Sequence, residues 1–134
     1  MIKEIFRAIA TRTGFVPGTT LHFGRRPQDA PDRCLLVAFN GGGATVFDLP
    51  DRMDVLVQIL ARAKDYHDAY ADSMTAFDAL HGVAAIALPV LVSGEAWEAQ
   101  AIEAVNPPQY IGPDDKGRAE WSTNYIWRIK DASL

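Results

Sequence analysis

The chain has 134 residues, of which 49% are hydrophobic and 22% charged, and its formal net charge is -4. That length supports one compact domain, residues 1–134, and leaves no room for two independent cores, while the composition excludes a disordered or fibrous chain. With 13 Lys and Arg against 17 Asp and Glu, the field of the monomer repels phosphates, so any nucleic-acid contact has to be local.

In chain order, Ile2, Ile5, Phe6 and Ile9 recur at i, i+3, i+4 and i+7. This predicts a helix over residues 2–13 with one apolar stripe, stopped by Gly14 and Pro17. The charges among these residues leave none of the uninterrupted apolar stretch of a signal peptide. Residues 19–23 have strand composition, and residues 24–32, with Pro27 and Pro31, have that of an exposed polar loop whose tip carries Arg25 and Arg26. Cys34, the single cysteine, heads an apolar run through Phe39, where a small buried hydrophobe is expected and no disulfide framework can form. Asn40 with Gly41, Gly42 and Gly43 predicts a hairpin turn into a short strand at residues 44–47.

Residues 53–62 alternate, with Met53, Val55, Val57, Ile59 and Ala61 on one face and Asp54, Gln58 and Arg62 on the other. Asp65 is placed to cap a helix whose apolar residues Tyr66, Ala69, Tyr70, Met74, Phe77 and Leu80 recur at spacings of three and four, with Gly82 closing it. Asp72 and Asp78 fall on its polar side. Residues 83–92 and 96–105 are β-rich; the former holds the longest apolar run, ten residues including Pro89, far too short to cross a bilayer as a helix. Residues 106–108 form a turn. In the final strand Trp121, Thr123, Tyr125, Trp127 and Ile129 share the face opposite Ser122, Asn124 and Arg128. The order α-β-β-β-α-β-β, without alternating βαβ units, predicts an α+β fold: a mainly antiparallel β-sheet packed by two α-helices on one face.

Catalytic, metal and cofactor-binding roles find no support in these residues. His22, His67 and His81 lack metal-ligand spacing and read as surface or edge residues. Cys34 has no activating neighbour, and the glycine run has no Lys-Ser/Thr after it to make a phosphate loop. Glu95, Glu98 and Glu103 are not paired with a second group as acid and base. The stretch from Asp114 to Arg118 lacks the register of a calcium loop and reads as a charged turn. The aromatic stripe Trp121, Tyr125, Trp127 reads as core, not as a base-stacking platform.

The stretch Val55-Leu56-Val57-Gln58-Ile59-Leu60-Ala61-Arg62, followed by Asp65-Tyr66, Ala69 and Phe77-Asp78-Ala79-Leu80-His81-Gly82, resembles the tail-terminator (tail-completion, or minor capsid) family of long-tailed phages or gene transfer agents. There a strand ending in Arg leads into a helix closed by an aromatic-Asp-x-Leu-x-Gly phrase. Pro108-Gln109-Tyr110-Ile111-Gly112-Pro113-Asp114-Asp115-Lys116-Gly117-Arg118, with Trp121 and Asn124-Tyr125 downstream, is similar to the family's second phrase.

The resemblance implies a structural virion protein, assembled in the bacterial host cytoplasm. It would form a homo-hexameric ring on the tail tube protein at the head-proximal end, stop tube polymerisation and join the head-tail connector protein. DNA would pass through its lumen without specific binding, and no membrane or cofactor would be involved. A head-tail adaptor or other neck protein, or a small-molecule-binding α+β domain, are the alternative readings. Subunit contacts are expected from exposed extensions of the sheet: Arg25, Arg26, Gln28 and Asp29 in the loop, Gly41, Gly42 and Gly43 at the hairpin, and Leu56 and Leu60, too apolar for a free strand face.

Overall fold

A computed structural model describes residues 1–45 and 52–133. Along the chain these form α1 (Ile2–Thr13), β1 (Leu21–Phe23), β2 (Cys34–Thr45), β3 (Arg52–Ala63), α2 (Tyr66–Leu80), β4 (Ala84–Ala87), β5 (Trp97–Ala104), β6 (Gln109–Pro113) and β7 (Ala119–Asp131). The seven strands make one sheet of order β1-β2-β3-β7-β5-β4, with β6 also paired to β7. Every pairing between these strands is antiparallel except β1 with β2. This is the expected α+β class.

The spine is β3 against β7, in register without a break from Arg52↔Lys130 to Ala63↔Ala119. On its other side β7 is shared: β5 pairs with its second half, from Tyr125 to Asp131, and β6 with its first, from Ala119 to Ser122. Sequence periodicity gave no sign of β6, because its pattern is exposed almost throughout and carries no apolar alternation.

Period-2 patterning splits the spine into two faces. On one, Val55, Val57, Ile59 and Ala61 of β3 and Trp121, Thr123, Tyr125, Trp127 and Ile129 of β7 are buried. This face carries α2, whose Ser73 Oγ lies 3.4 Å from Thr123 Oγ1. Cys34 is buried as expected. Burial pushes the Tyr125 hydroxyl well above its ordinary pKa.

Asp65 caps α2, its carboxylate accepting from the backbone N–H groups of His67 (2.7 Å) and Asp68 (3.2 Å). The buried stripe of α2 differs from the predicted one. Ala69, Asp72, Ser73, Ala76 and Leu80 face the sheet, whereas Tyr66 and Tyr70 are exposed. Small residues win because they let the helix sit close to a sheet already filled by Trp121, Tyr125 and Trp127. Asp72, expected in solvent, is buried and receives both Nε (2.9 Å) and Nη2 (2.9 Å) of Arg33. This ion pair holds Arg33 above its ordinary pKa.

Helix α1 ends as predicted at Gly14, whose φ of 80° makes the left-handed cap that glycine adopts without Cβ strain. Phe6 packs edge-on against Phe23 of β1, with ring centroids 5.5 Å apart, while Ala8, Thr11 and Arg12 face Ile86 and Leu88 at the β4 side. Helix α1 thus touches residues at both ends of the strand order, Phe23 of β1 and Ile86 of β4. At the β4 edge, Ala85 has φ 54° opposite Gln100, where the β5–β7 register slips by one residue. The kink blunts an otherwise open strand edge.

Candidate functional site

No helix covers the second face of the spine among the described residues. Its side chains are Asp54, Leu56, Gln58, Leu60 and Arg62 on β3, paired in that order with Arg128, Ile126, Asn124, Ser122 and Glu120 on β7. Two charged ends bracket a middle in which Leu56, Leu60 and Ile126 alternate with Gln58, Ser122 and Asn124. At one end Arg128 donates to Asp54 (3.0 Å) and Glu103 (3.0 Å), tying β3, β7 and β5 together. In the middle, Leu56, Ile126 and Val105 with Asn40 and Asn124 line a trough of about 440 Å³. Beside it Gln58 donates from Nε2 to Ser122 Oγ at 3.0 Å.

At the other end the β1–β2 connection, residues 24–33, folds back onto the sheet. Arg62, only 6% exposed, donates from Nε to the Asp32 carbonyl (3.1 Å) and from Nη2 to that of Pro31 (2.8 Å). Arg118 joins the same loop to the β6–β7 turn, donating to Asp32 (3.1 Å) and Asp114 (2.6 Å), and Lys64 adds an ion pair to Asp32 (3.2 Å). Hydrogen bonds from Arg118 and Lys64 hold the Asp32 carboxyl below its usual range. For Asp114 burial acts upward but is outweighed: the backbone N–H groups of Arg118 and Lys116 and the Arg118 guanidinium hold that carboxyl low. The predicted charged turn is present and closes on Gly117, whose N–H donates to the Asp114 carbonyl.

The residues singled out from sequence thus gather around one face, though not all as expected. Leu56 and Leu60 lie on it, partly exposed. Gly41, Gly42 and Gly43 form no hairpin turn: they continue β2, with Gly42 opposite Val55 and register shifts on either side. A run of three glycines lacks the side chains that hold a regular ladder, and the strand absorbs the irregularity as bulges instead of reversing. Residues 46–47, expected as strand, lie outside the described residues. Arg25, Gln28 and Asp29 are exposed, but Arg26 is not a free loop tip; its side chain is mostly covered and lies 3.9 Å from Glu120. His22 is buried on β1, whereas His67 and His81 are exposed, with His81 Nδ1 accepting from the Ala104 N–H at 3.0 Å.

Two exposed surfaces go beyond the expectations from sequence. Tyr66, Tyr70 and Tyr110, all half-exposed, surround Trp121 with ring centroids 4.9–5.5 Å apart. The β4–β5 connection exposes Val90, Leu91 and Val92 in succession. The first could have been suspected from Tyr66 and Tyr70 lying at i and i+4, the second from an apolar run interrupted by Pro89.

A mainly antiparallel α+β sheet with one face packed by helices and the other left uncovered and half-apolar defines the class of this domain. Within that class the chain belongs to the bacteriophage tail terminator protein family, whose model matches residues 8–131. It is therefore a structural protein of the phage tail. No curated protein matches it significantly. No helix among the described residues is long and apolar enough to cross a membrane.

Proposed function

We propose that copies of this chain close into a six-membered ring on the head-proximal end of the tail tube, stopping its polymerisation and joining the tail to the head connector. The observation that carries this reading is the uncovered sheet face, where Leu56, Leu60 and Ile126 stay partly exposed between two polar ends. A soluble monomer gains nothing from an apolar middle there, whereas a neighbouring subunit would bury it. Closed rotational symmetry lets one such contact, repeated, satisfy every copy. The bulged Gly41–Gly43 segment adjoins Leu56 through the Gly42↔Val55 pairing, and Arg25, Gln28 and Asp29 rim the opposite end; these residues form the proposed contact zone.

The role is non-catalytic in this reading. Among the carboxylates with lowered pKa, Asp32 and Asp114 are both bound to Arg118, and that arrangement locks a loop to a turn. The net charge of -4 favours a lumen through which DNA slides without being held.

The test is deletion of the chain from the phage followed by electron microscopy. Tails of uncontrolled length and heads without tails are expected, with density for the chain in intact particles at the head-tail junction. Tails of normal length, or density elsewhere, would refute the reading.

A further inference from the structure

The trough on the uncovered face is concave and apolar, and among the described residues no charged side chain lines it. It is open along the sheet, and among the described residues its polar lining is limited to Asn40 and Asn124, unlike a small-molecule site with convergent polar groups. Elsewhere on the same chain is its counterpart. Val90 (64% exposed), Leu91 (45%) and Val92 (51%) project from the β4–β5 connection, and Val92 adjoins Ile2 at the start of α1. We propose that the trough of one copy receives the Val90–Leu91–Val92 loop of a second copy, and that this is the contact repeated around the ring; the inference rests on the ring reading above.

Three features single out a second copy as the occupant. The exposed parts of Ile2, Val90, Leu91 and Val92 equal about two whole aliphatic residues, roughly 300 Å², which is as large as the apolar patch of a typical monomer. The trough wall, with Val105 60% exposed beside the partly exposed Leu56 and Ile126, is smaller than the loop patch. Together the two supply the apolar centre of an interface, and a polar rim supplies the rest of the ~1,200 Å² that a specific interface buries.

Second, the two patches cannot meet within one chain. The trough lies on β3 and β7, on the face away from α2, whereas the loop leaves the β4 edge beside α1. Third, the patches are unlike, one hollow and one projecting. Each copy would therefore offer its loop to one neighbour and its trough to the other, a heterologous contact that closes into a ring when the rotation permits.

The test is a chain carrying Leu91→Cys and Val105→Cys, both at exposed positions, with Cys34 buried and out of reach. Mild oxidation is expected to give a ladder of disulfide-linked species ending in a closed oligomer, while each single substitution gives dimers at most. A double-cysteine chain that stays monomeric overturns the inference. Leu91→Asp, which leaves the core untouched, is expected to weaken self-association at least tenfold in light scattering; unchanged association overturns the inference as well. If particles carry the chain at the head-tail junction while Leu91→Asp assembles normally, only this contact falls. If the ladder forms but intact particles lack the chain at that junction, the contact stands and the functional reading falls.

Discussion

The two faces of the β3–β7 spine are made from alternate residues of the same strands, yet they follow different rules. On the α2 side Val57, Ile59, Tyr125 and Trp127 are all but sealed from water. On the other side each apolar residue has a polar neighbour along its strand: Leu56 lies between Asp54 and Gln58, and Ile126 between Asn124 and Arg128. The first face stabilises the monomer through burial. The second adds less to its stability and keeps enough apolar surface for a partner, so damage to the two should separate folding from assembly.

The largest effect is expected on the sealed side. Trp127→Ala empties a fully buried position and should cost about 3–5 kcal/mol, seen as a lowered midpoint in denaturant unfolding. A loss below 1 kcal/mol would mean that the face is not the core described. Arg62→Ala comes next: it removes two hydrogen bonds that pin the 24–33 loop and leaves the carbonyls of Pro31 and Asp32 short of donors, at about 2 kcal/mol. Hydrogen exchange should rise in that loop first. Equal exchange throughout would deny Arg62 its pinning role.

Arg26→Glu places a carboxylate beside Glu120 and should cost about 1 kcal/mol, whereas Arg25→Glu, at an exposed position, should leave the fold within about 0.5 kcal/mol. If both cost the same in thermal melts, Arg26 is not held against the sheet as described. Leu56→Gln inverts the pattern, changing monomer stability by about 0.5 kcal/mol while reducing association in light scattering. Equal association of this variant and the parent chain would remove Leu56 from the contact zone.

The smallest effect concerns acidity. Asp32 and Asp114 have folded pKa values below their unfolded ones, so their contribution is complete above the ordinary carboxylate range near pH 4 and is lost as pH falls through the lower, folded values. The loop-to-turn clamp should therefore loosen only in acid below about pH 4, with Asp114→Asn already loosened at neutral pH. Loop exchange that is flat across that range would show that the carboxylates do not hold the clamp.

What could be read from sequence follows from local physics. The alternation in β3 and β7 reports burial on one face directly, because strand side chains reverse direction at every residue. The Asp65 cap and the Gly14 stop were equally legible, since each satisfies orphaned backbone groups within a few residues of itself. The phrases around Arg62 and from Pro108 to Arg118 mark the family through positions that prove structural: Arg62 holds the loop, and Arg118 joins Asp32 to Asp114.

Where sequence reading failed, the deciding partner was far away along the chain. Asp72 looks like a surface residue of α2 until Arg33, in the β1–β2 connection, donates to it. Gly41–Gly43 look like a turn until β3 supplies Val55 opposite Gly42. Arg26 looks free until the loop folds onto Glu120.

The chain alone determined the α+β class, the main helices and strands, the core face of the spine and the family, because these rest on periodicity, caps and short contiguous phrases. The tertiary structure alone decided the placement of α1 against residues of both β1 and β4, the folding of residues 24–33 over one end of the uncovered face, and the trough beside Val105. These depend on long-range packing, where burial and charge are set by residues that no local window contains.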